Sequence, residues 1–380
     1  MKDKEKILKL FDEFKTPKFS AKNRFLRAAT ALGGAAADGS LLPGELSRFA
    51  EVAAGGAGTL ISGFAYTSPE GKAGQWQFGM DCDARTTDAK ALADSVHKFG
   101  AKCVVQIGHA GMFAGARGVL SPSGIKLNGM DSDSSELEPD DIKKIRNDFA
   151  AAALRVKQSG ADAAEIHGAH GFLLMQFLSP LTNKRTDGYG GTFENRARLF
   201  REVLADVRAA VGDFPIWFKV SMEDGIEGGY GAEEGIALAK TLLADGADAI
   251  EVSTGAPYSD AQHMTIPVGI SPGTAEAPLA KFAKEIKKYA SQDQLVILTC
   301  GLRSLEKMSE LLEDGAADLF GMSRPFNAEP DLINRWYYDD ERPAACFSCN
   351  ACLKTFGKGL VDCPVMRDKT EGIWDEVPES

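Results

Sequence analysis

The sequence has few basic residues relative to acidic ones, few histidines and no long apolar run. Its 380 residues carry a net charge of −11 with five histidines, and no block of consecutive basic residues occurs. Such an acidic chain argues against nucleic acid as the main partner. No apolar run approaches the roughly 18 residues of a membrane-spanning helix, and no apolar segment follows the charged residues Met1–Lys6. We therefore expect no signal peptide, no membrane association and a cytoplasmic location.

Cysteine is sparse along most of the chain and concentrated near its end. Cys82, Cys103 and Cys300 are scattered, and the last two lie in apolar, strand-like runs, where we interpret them as small hydrophobic residues. The other four are close together in sequence: Cys346, Cys349, Cys352 and Cys363. In a chain expected in the cytoplasm, such clustering favours metal over disulfide bonds. Four thiolates suit an iron–sulfur cluster or a tetrahedral zinc ion, and reduced thiols without metal are the third alternative.

Short apolar runs alternate with helical patterns from residue 24 onwards. Glycine followed by alanine marks five helix-to-strand junctions, as is typical of a parallel sheet; these lie at Gly55–Gly56, Gly100, Gly160, Gly246 and Gly315. The eight predicted strands are residues 24–30, 58–63, 102–107, 163–167, 215–220, 249–253, 295–300 and 318–321. The predicted helices are residues 43–54, 87–99, 139–158, 193–211, 233–244, 277–290 and 304–314. The strands are nearly all apolar, as expected when both faces are covered.

Eight β/α units predict an α/β fold, a (β/α)₈ TIM barrel over residues 1–336 with a short cysteine-containing extension over residues 337–380. A doubly wound open sheet is the alternative, but it would require a reversal of strand order. In the favoured barrel the C-terminal ends of all strands lie on one face, where active sites of such barrels are found. Long loops at residues 109–138 and 168–192 are expected at that face.

Ionisable and amide side chains follow several predicted strands. His167 and His170 leave the fourth strand before a glycine-rich loop. A lone buried histidine is usually structural, whereas a pair at a strand exit favours an active site. Gln106 lies near the end of the third strand, where its amide would hydrogen-bond a pyrimidine-like edge of a ligand. Lys219, in the fifth strand, would stabilise negative charge that develops on a reduced ring.

The ends of the last two strands predict a phosphate site. Gly301 follows the seventh strand, and Gly321, Ser323 and Arg324 follow the eighth. Barrels commonly bind phosphate between these two loops through backbone N–H groups, and Arg324 would add a charge-assisted contact. Tight turns alone would also explain the glycines, but the arginine favours phosphate. Together with Gln106 and Lys219, this site outlines one for flavin mononucleotide (FMN).

Seven motifs in order resemble those of the Old Yellow Enzyme family of FMN-dependent oxidoreductases over residues 18–335. They are Lys22–Phe25, Gln106–Gly111, Glu165–Gly171, Phe177–Pro180, Asn183–Gly191, Glu194–Arg196 and Gly321–Pro325. The resemblance implies a barrel enzyme that takes electrons from NAD(P)H, acts on a small-molecule substrate and forms homo-oligomers. The implied mechanism is ping-pong: NAD(P)H reduces FMN, and flavin N5 then delivers hydride to an activated C=C bond of the enone or enoate type.

The resemblance also implies roles for individual residues. Ala28, Ala29, Thr30 and Phe64 would line the isoalloxazine ring, Gln106 would bond its pyrimidine edge, and Gly301, Gly321 and Arg324 would hold the phosphate. His167 and His170 would polarise an electron-withdrawing group of the substrate. Lys219 stands where the family has an arginine near flavin N1, which keeps the charge but loses the fork geometry.

Phe172 is the main departure from the family pattern, because it replaces the usual proton-donor tyrosine. A phenyl ring cannot donate a proton, so water or another residue, such as Tyr66 or Tyr258, must supply it. Phe172 therefore favours an alternative reading, a C–N bond dehydrogenase or demethylase on the same barrel.

The clustered cysteines resemble the [4Fe–4S] segment of two larger types of relative, the dienoyl-CoA reductases and trimethylamine dehydrogenase. In those enzymes the cluster exchanges electrons with FMN. The resemblance implies a [4Fe–4S] cluster here, with zinc or unliganded thiols as the alternatives. A cluster would allow a separate redox protein to be the electron donor, and an electron carrier without its own small-molecule substrate is the third interpretation of function.

Overall fold

Eight parallel strands close into a barrel in the computed structural model, which describes residues 2–115, 119–125, 134–259 and 267–367. The strands are β1 (Phe25–Arg27), β2 (Thr59–Ile61), β3 (Lys102–Gly108), β4 (Ala163–Gly168), β5 (Ile216–Ser221), β6 (Ala249–Ser253), β7 (Leu295–Leu298) and β8 (Leu319–Met322). Each strand pairs with the next along the chain, and β8 pairs with β1 through the register Phe320 to Phe25. The predicted TIM barrel is confirmed, and the open-sheet alternative is wrong.

Helices alternate with the strands and cover the barrel. They are α1 (Pro43–Ala54), α2 (Arg85–His97), α3 (Pro139–Ser159), α4 (Arg198–Val211), α5 (Ala232–Ala244), α6 (Ala280–Lys287), α7 (Leu305–Glu313), α8 (Arg324–Ala328) and α9 (Leu332–Tyr337). The longest, α3, begins with a proline and a capping box between Glu138 and Asp141, and it ends at Gly160 with φ 85°. Its buried residues recur at helical spacing, which explains why pattern alone located it.

Shorter elements lie between and outside these. They are helix Lys2–Leu8, strand pairs Phe14–Lys15 with Ser20–Ala21 and Leu120–Ser121 with Ser135–Glu136, strand Ala65–Tyr66, helices Leu173–Leu178, Phe193–Arg196 and Pro364–Arg367, and 3₁₀ turns Pro69–Gly71, Gly111–Phe113 and Ala351–Thr355. The helix predicted at 193–211 is interrupted at Ala197, and the one predicted at 277–290 is shorter than expected. No helix among the described residues has the length and hydropathy needed to cross a bilayer.

An antiparallel pair of strands, Phe14–Lys15 and Ser20–Ala21, closes the N-terminal end of the barrel. Phe14 and Phe19 are buried with the apolar residues that point into the barrel. The ring of Phe19 lies 4.8 Å from that of Trp217 at the start of β5. The sequence analysis did not predict this closure, because two-residue strands carry no usable periodicity.

Side chains alternate between the inside and the outside of the barrel along each strand. On β5, Phe218 and Val220 pack outward against the helices, whereas Trp217 fills the inside. Lys219, two residues further on, points inward as well, nearer the C-terminal end. This alternation places polar inward residues above an apolar base, at the end where the strands' loops begin.

After α9 the chain returns to the C-terminal face of the barrel. Arg303 donates from Nε to the carbonyl oxygen of Cys346 at 2.6 Å, and the N–H of Val361 donates to the carbonyl oxygen of Leu32 at 2.9 Å. Ala344, Cys352 and Val361 belong to the same buried cluster as the barrel helices. The extension thus covers part of the barrel face. The division into domains at residues 336 and 337 stays a prediction.

Candidate active site

A cavity of about 540 Å³ lies at the C-terminal ends of the barrel strands. All of the predicted catalytic and cofactor-binding residues line it: Ala28, Ala29, Thr30, Phe64, Gln106, His167, His170, Lys219, Gly301, Gly321, Ser323 and Arg324. Its volume falls within the range of roughly 300–1,000 Å³ that is usual for cofactor and substrate sites. The structure therefore brings these residues together, while their individual roles stay predictions.

Four buried polar side chains form a layer at the base of this cavity. Gln106 Nε2 donates to Glu165 Oε2 at 2.6 Å, and Lys219 Nζ donates to Glu251 Oε1 at 2.8 Å. Strand register sets the partners side by side, because Gln106 pairs with Glu165 and Lys219 with Glu251. The sequence analysis missed both glutamates as site residues. The signal was an acidic residue within each of two apolar strands, where charged residues are rare unless paired.

Gln106 and Lys219 keep hydrogen-bonding capacity for a ligand. Each lines the cavity. The Oε1 atom of Gln106 accepts no hydrogen bond from a described residue, and Lys219 uses one of its three N–H donors on Glu251. An acceptor beside a cationic donor complements an edge that carries both N–H and C=O groups. The pyrimidine edge of a flavin is such an edge, so these two residues fit FMN.

The predicted phosphate residues lie at the ends of β7 and β8. Arg324 donates from Nη1 to the carbonyl oxygen of Pro267 at 2.9 Å and to Asn350 Oδ1, and its Nε and Nη2 bond to no described residue. Ser323 and Thr30 share a hydrogen bond of 2.7 Å between their hydroxyls. A Cβ at Gly321 would lie 2.3 Å from Thr299 Cγ2, so only glycine fits there. The guanidinium donors left on Arg324 suit a phosphate.

His167 and His170 lie edge to face, with ring centroids 5.1 Å apart. His170 adopts a left-handed backbone with φ 59°, its N–H donates to Ser221 Oγ at 3.1 Å, and its Nε2 shares a hydrogen bond of 2.6 Å with Ser253 Oγ. The buried Nδ1 of His167 has no partner among the described residues. Ser253 therefore orients His170, whereas His167 lines the cavity without a hydrogen bond at its Nδ1 atom.

Both histidines are held in the neutral form. Burial lowers the pKa of His167 well below its ordinary value, and the charge of Lys219 lowers it further. Burial likewise lowers the pKa of His170, with contributions from His167 and Lys219. At neutral pH the pair can donate hydrogen bonds to a carbonyl oxygen without bringing a positive charge into the cavity.

This neutrality predicts a pH dependence of stability. A histidine whose folded-state pKa is lowered stabilises the fold above its unfolded pKa of about 6.5, and this stabilisation is lost as the pH falls below that value. Between pH 6.5 and 5 the free energy of unfolding of the natural protein should fall by about 1.5 kcal/mol more than that of His170→Asn. Urea unfolding at several pH values measures this. Parallel curves for the two proteins would show that His170 is not held neutral.

The cavity wall near the histidines is aromatic. The ring of Phe172 lies 4.7 Å from that of Phe64 and 4.9 Å from that of His167. No tyrosine is among the described residues that line the cavity. The hydroxyl of Tyr66 donates to the carbonyl oxygen of Asp38 at 3.0 Å, and that of Tyr258 to Asp224 Oδ1 at 3.2 Å. The structure thus gives no support to either tyrosine as a proton donor.

Cys300 lies on the cavity wall rather than within a strand. Strand β7 ends at Leu298, and Cys300 has a left-handed φ of 76°. Its placement within a strand was wrong, because the strand is two residues shorter than predicted, whereas its packing as a small hydrophobic residue against the core agrees with the prediction. Cys103, by contrast, is fully buried in β3 as expected.

The four clustered cysteines line a second, small cavity beside the first. Arg324, Asn327, Asn350 and Cys352 line both cavities, so the two share a wall. Among the residues that the structure describes, no three cysteine, histidine or acidic side chains are arranged to hold a single metal ion. The shared wall places the cysteine cluster against the site of the predicted flavin.

The chain belongs to the NADH:flavin oxidoreductase / NADH oxidase family, whose profile matches residues 9–341. It is 32% identical over 324 residues to an NADPH dehydrogenase of Halalkalibacterium halodurans, covering 85% of this chain and 92% of that one. It is 31% identical over 386 residues to an NADH oxidase of Thermoanaerobacter brockii, covering 98% of this chain and 58% of that one.

Solved structures of larger enzymes resemble almost the whole chain. A 2-naphthoyl-CoA reductase, in complex with 2-naphthoyl-CoA, superposes with a TM-score of 0.86 at 26% identity, covering 96% of this chain and 58% of that one. Histamine dehydrogenase from Rhizobium sp. 4-9 superposes with a TM-score of 0.83 at 25% identity, covering 94% and 52%. The chain therefore spans just over half the length of these enzymes.

Proposed function

We propose that this protein uses bound FMN and NAD(P)H to reduce an activated C=C bond of a small unsaturated carbonyl compound, carboxylate or thioester. The observation that carries the proposal is the neutral histidine pair in the same cavity as Gln106, Lys219 and Arg324. FMN, when bound, would accept electrons from a nicotinamide and pass hydride to the substrate. The family match supports the oxidoreductase class, and the substrate class rests on the site alone.

Each part of the cavity would contribute one task to this reaction. Gln106 and Lys219 would hold the flavin's pyrimidine edge, and the cation of Lys219 would stabilise negative charge there. His167 would donate a hydrogen bond to the substrate oxygen, drawing electron density from the C=C bond. Phe64 and Phe172, whose rings are in contact, would form an apolar wall beside His167. No tyrosine lies on the described wall, and water would supply the proton in place of one.

Acceptor-dependent oxidation of NAD(P)H tests this proposal. Purified protein loaded with FMN is mixed with NADH or NADPH under anaerobic conditions, with and without 2-cyclohexenone, an enoate or an enoyl thioester. Oxidation that requires one of these acceptors is expected. If none of them increases the rate although the flavin is reduced, C=C reduction is not the activity.

Oxidation of an amine at a C–N bond is the second candidate, and Phe172 favours it because amine oxidation needs no proton donor at this position. Histamine dehydrogenase is among the structures that resemble nearly the whole chain. Anaerobic bleaching of the flavin by added amines, without NAD(P)H, would identify this activity. Enone-dependent NAD(P)H oxidation without amine bleaching would reject it.

The substitution Phe172→Tyr separates the two candidates. If the protein reduces C=C bonds, a hydroxyl on this ring would supply a proton close to His167, and we expect turnover of an enone to rise about tenfold, below the usual range for a general acid because the site is not built around it. Amine oxidation should not rise. Phe113→Tyr is the matched control, because the ring of Phe113 lies 6.3 Å from that of Phe172 but does not line the cavity.

We propose further that the four clustered cysteines hold a [4Fe–4S] cluster. All four line one small cavity beside the FMN site, and four closely spaced thiolates suit such a cluster, with a tetrahedral zinc ion as the alternative. A cluster there would adjoin the FMN site through Cys352 and would allow a separate redox protein to supply the electrons. About four iron and four sulfide ions per chain are expected in anaerobically purified protein. The variant Cys349→Ser should lose them, whereas the control Cys82→Ser, at a cysteine outside the cluster, should keep them. Iron-free protein with intact flavin would reject the cluster.

A further inference from the structure

Two carboxyl groups and one ammonium group are buried together at the base of the larger cavity. Glu165 and the side chain of Glu251 are fully buried, and the side chain of Lys219 is 4% exposed. Glu165 lies two residues before His167 on β4, and Glu251 two residues before Ser253 on β6, so both point into the barrel. One cation is therefore enclosed with two acids, in a region where an uncompensated charge is strongly unfavourable.

The hydrogen bonds of this layer leave one oxygen of each acid unused. Gln106 donates to one oxygen of Glu165, and Lys219 donates to one oxygen of Glu251. Glu165 Oε1 and Glu251 Oε2 receive nothing from any N–H or O–H group of the described residues. The two carboxyl groups instead lie within hydrogen-bonding reach of each other. Two ionised carboxylates in this arrangement would repel, whereas one proton between them would satisfy both oxygens.

We propose that Glu165 and Glu251 hold a single proton between them at neutral pH, so that the layer beneath the flavin carries one positive and one negative charge. Burial and the neighbouring carboxylate of Glu251 raise the pKa of Glu165 well above its ordinary value, which agrees with this assignment. Among the described residues, His167, His170 and Cys300 also interact with Lys219; burial lowers the pKa of both histidines and raises the pKa of the Cys300 thiol, so all three are neutral. Within the part of the chain that the structure describes, Lys219 is then the layer's single cation, balanced by one carboxylate.

The shared proton would set the electric field at the flavin, and in this respect the inference rests on the proposed FMN site. With both carboxylates ionised, the layer would carry a net negative charge and would oppose negative charge on the reduced flavin ring. With one proton retained, the positive end of the Lys219–Glu251 pair faces the cavity and the layer is neutral. Glu165 is thus a positioning residue, which acts on the flavin through its neighbours.

Infrared spectroscopy of the apoprotein at pH 8 tests the proton directly. The natural protein should show the C=O band of a protonated carboxyl group, and Glu165→Gln should lack that band. Glu251→Gln should also lack it, because a single carboxylate beside Lys219 would be ionised; this second variant serves if the first does not fold. Glu45→Gln is the matched control: burial raises the pKa of Glu45 to about 7, so this group is mostly ionised at pH 8 and its substitution should leave the band.

Binding of FMN provides a second readout. The amide that Glu165→Gln introduces has the shape and charge of a protonated glutamate, accepting from Gln106 and donating to Glu251. We expect FMN affinity and midpoint potential to stay unchanged, within about twofold for the affinity. A natural protein without the band, together with a Glu165→Gln variant that binds reduced FMN more tightly, would show that both carboxylates are ionised. The infrared result needs no flavin, so failure of the FMN site and failure of the shared proton are distinguishable.

Discussion

The substitution Arg324→Ala is expected to weaken FMN binding by about tenfold to a hundredfold and to leave riboflavin binding nearly unchanged. A hydrogen bond to a charged group contributes about 1.5–3 kcal/mol, and the Nε and Nη2 atoms of Arg324, which bond to no described residue, suit the phosphate that riboflavin lacks. Fluorescence titration of the apoprotein with each flavin measures both affinities. Arg324→Lys should keep part of the affinity, because it retains the charge without the fork.

Arg324→Ala also removes the contact with Asn350. Loss of that contact could displace the extension and lower the affinity for FMN without any role for the phosphate. Asn350→Ala removes that contact and leaves the arginine in place. If the two variants lose affinity equally, and for riboflavin as much as for FMN, the role assigned to the phosphate is wrong. Arg342→Ala, at an exposed arginine that pairs with Asp340, controls for the loss of a positive charge elsewhere.

The residues that the sequence located correctly are those at the ends of barrel strands. Gln106, His167 and Lys219 each lie in or just after a short apolar run, and in a parallel barrel all such ends lie on one face. Knowing that the sheet closes is then sufficient to bring them together. The same logic located Gly301 and Arg324, since adjacent strands place adjacent loops in contact.

The parts that the sequence did not reveal depend on contacts between distant segments. Phe356 and Val361 line the cavity although they lie in the extension, because residues beyond α9 fold back over the barrel face. The closure by Phe14 and Phe19 has no periodic pattern to mark it. The pairing of Glu165 with Glu251 was visible only as two acids in apolar strands, and which way they face depends on register.

The substitution Lys219→Met is expected to destabilise the apoprotein by about 3–5 kcal/mol at pH 8, the range found when one partner of a buried ion pair is removed. Methionine fills a similar volume, so the effect comes from charge rather than from a cavity. It would leave the carboxylate of Glu251 buried without a counter-ion. Urea unfolding of the apoprotein gives the free energy of unfolding without any dependence on flavin.

The double variant Lys219→Met, Glu251→Gln should recover most of that stability, because it leaves an uncharged layer in which Glu165 keeps its proton and its bond from Gln106. The loss in the single variant should also shrink as the pH is lowered, since the orphaned carboxylate then takes up a proton. Strictly additive effects of the two substitutions would mean that Lys219 and Glu251 are not coupled. Strong coupling between Lys219 and Glu251 would instead show that one carboxylate balances the ammonium group of Lys219. If Glu165→Gln also leaves the free energy of unfolding unchanged, Glu165 is already protonated before any flavin binds.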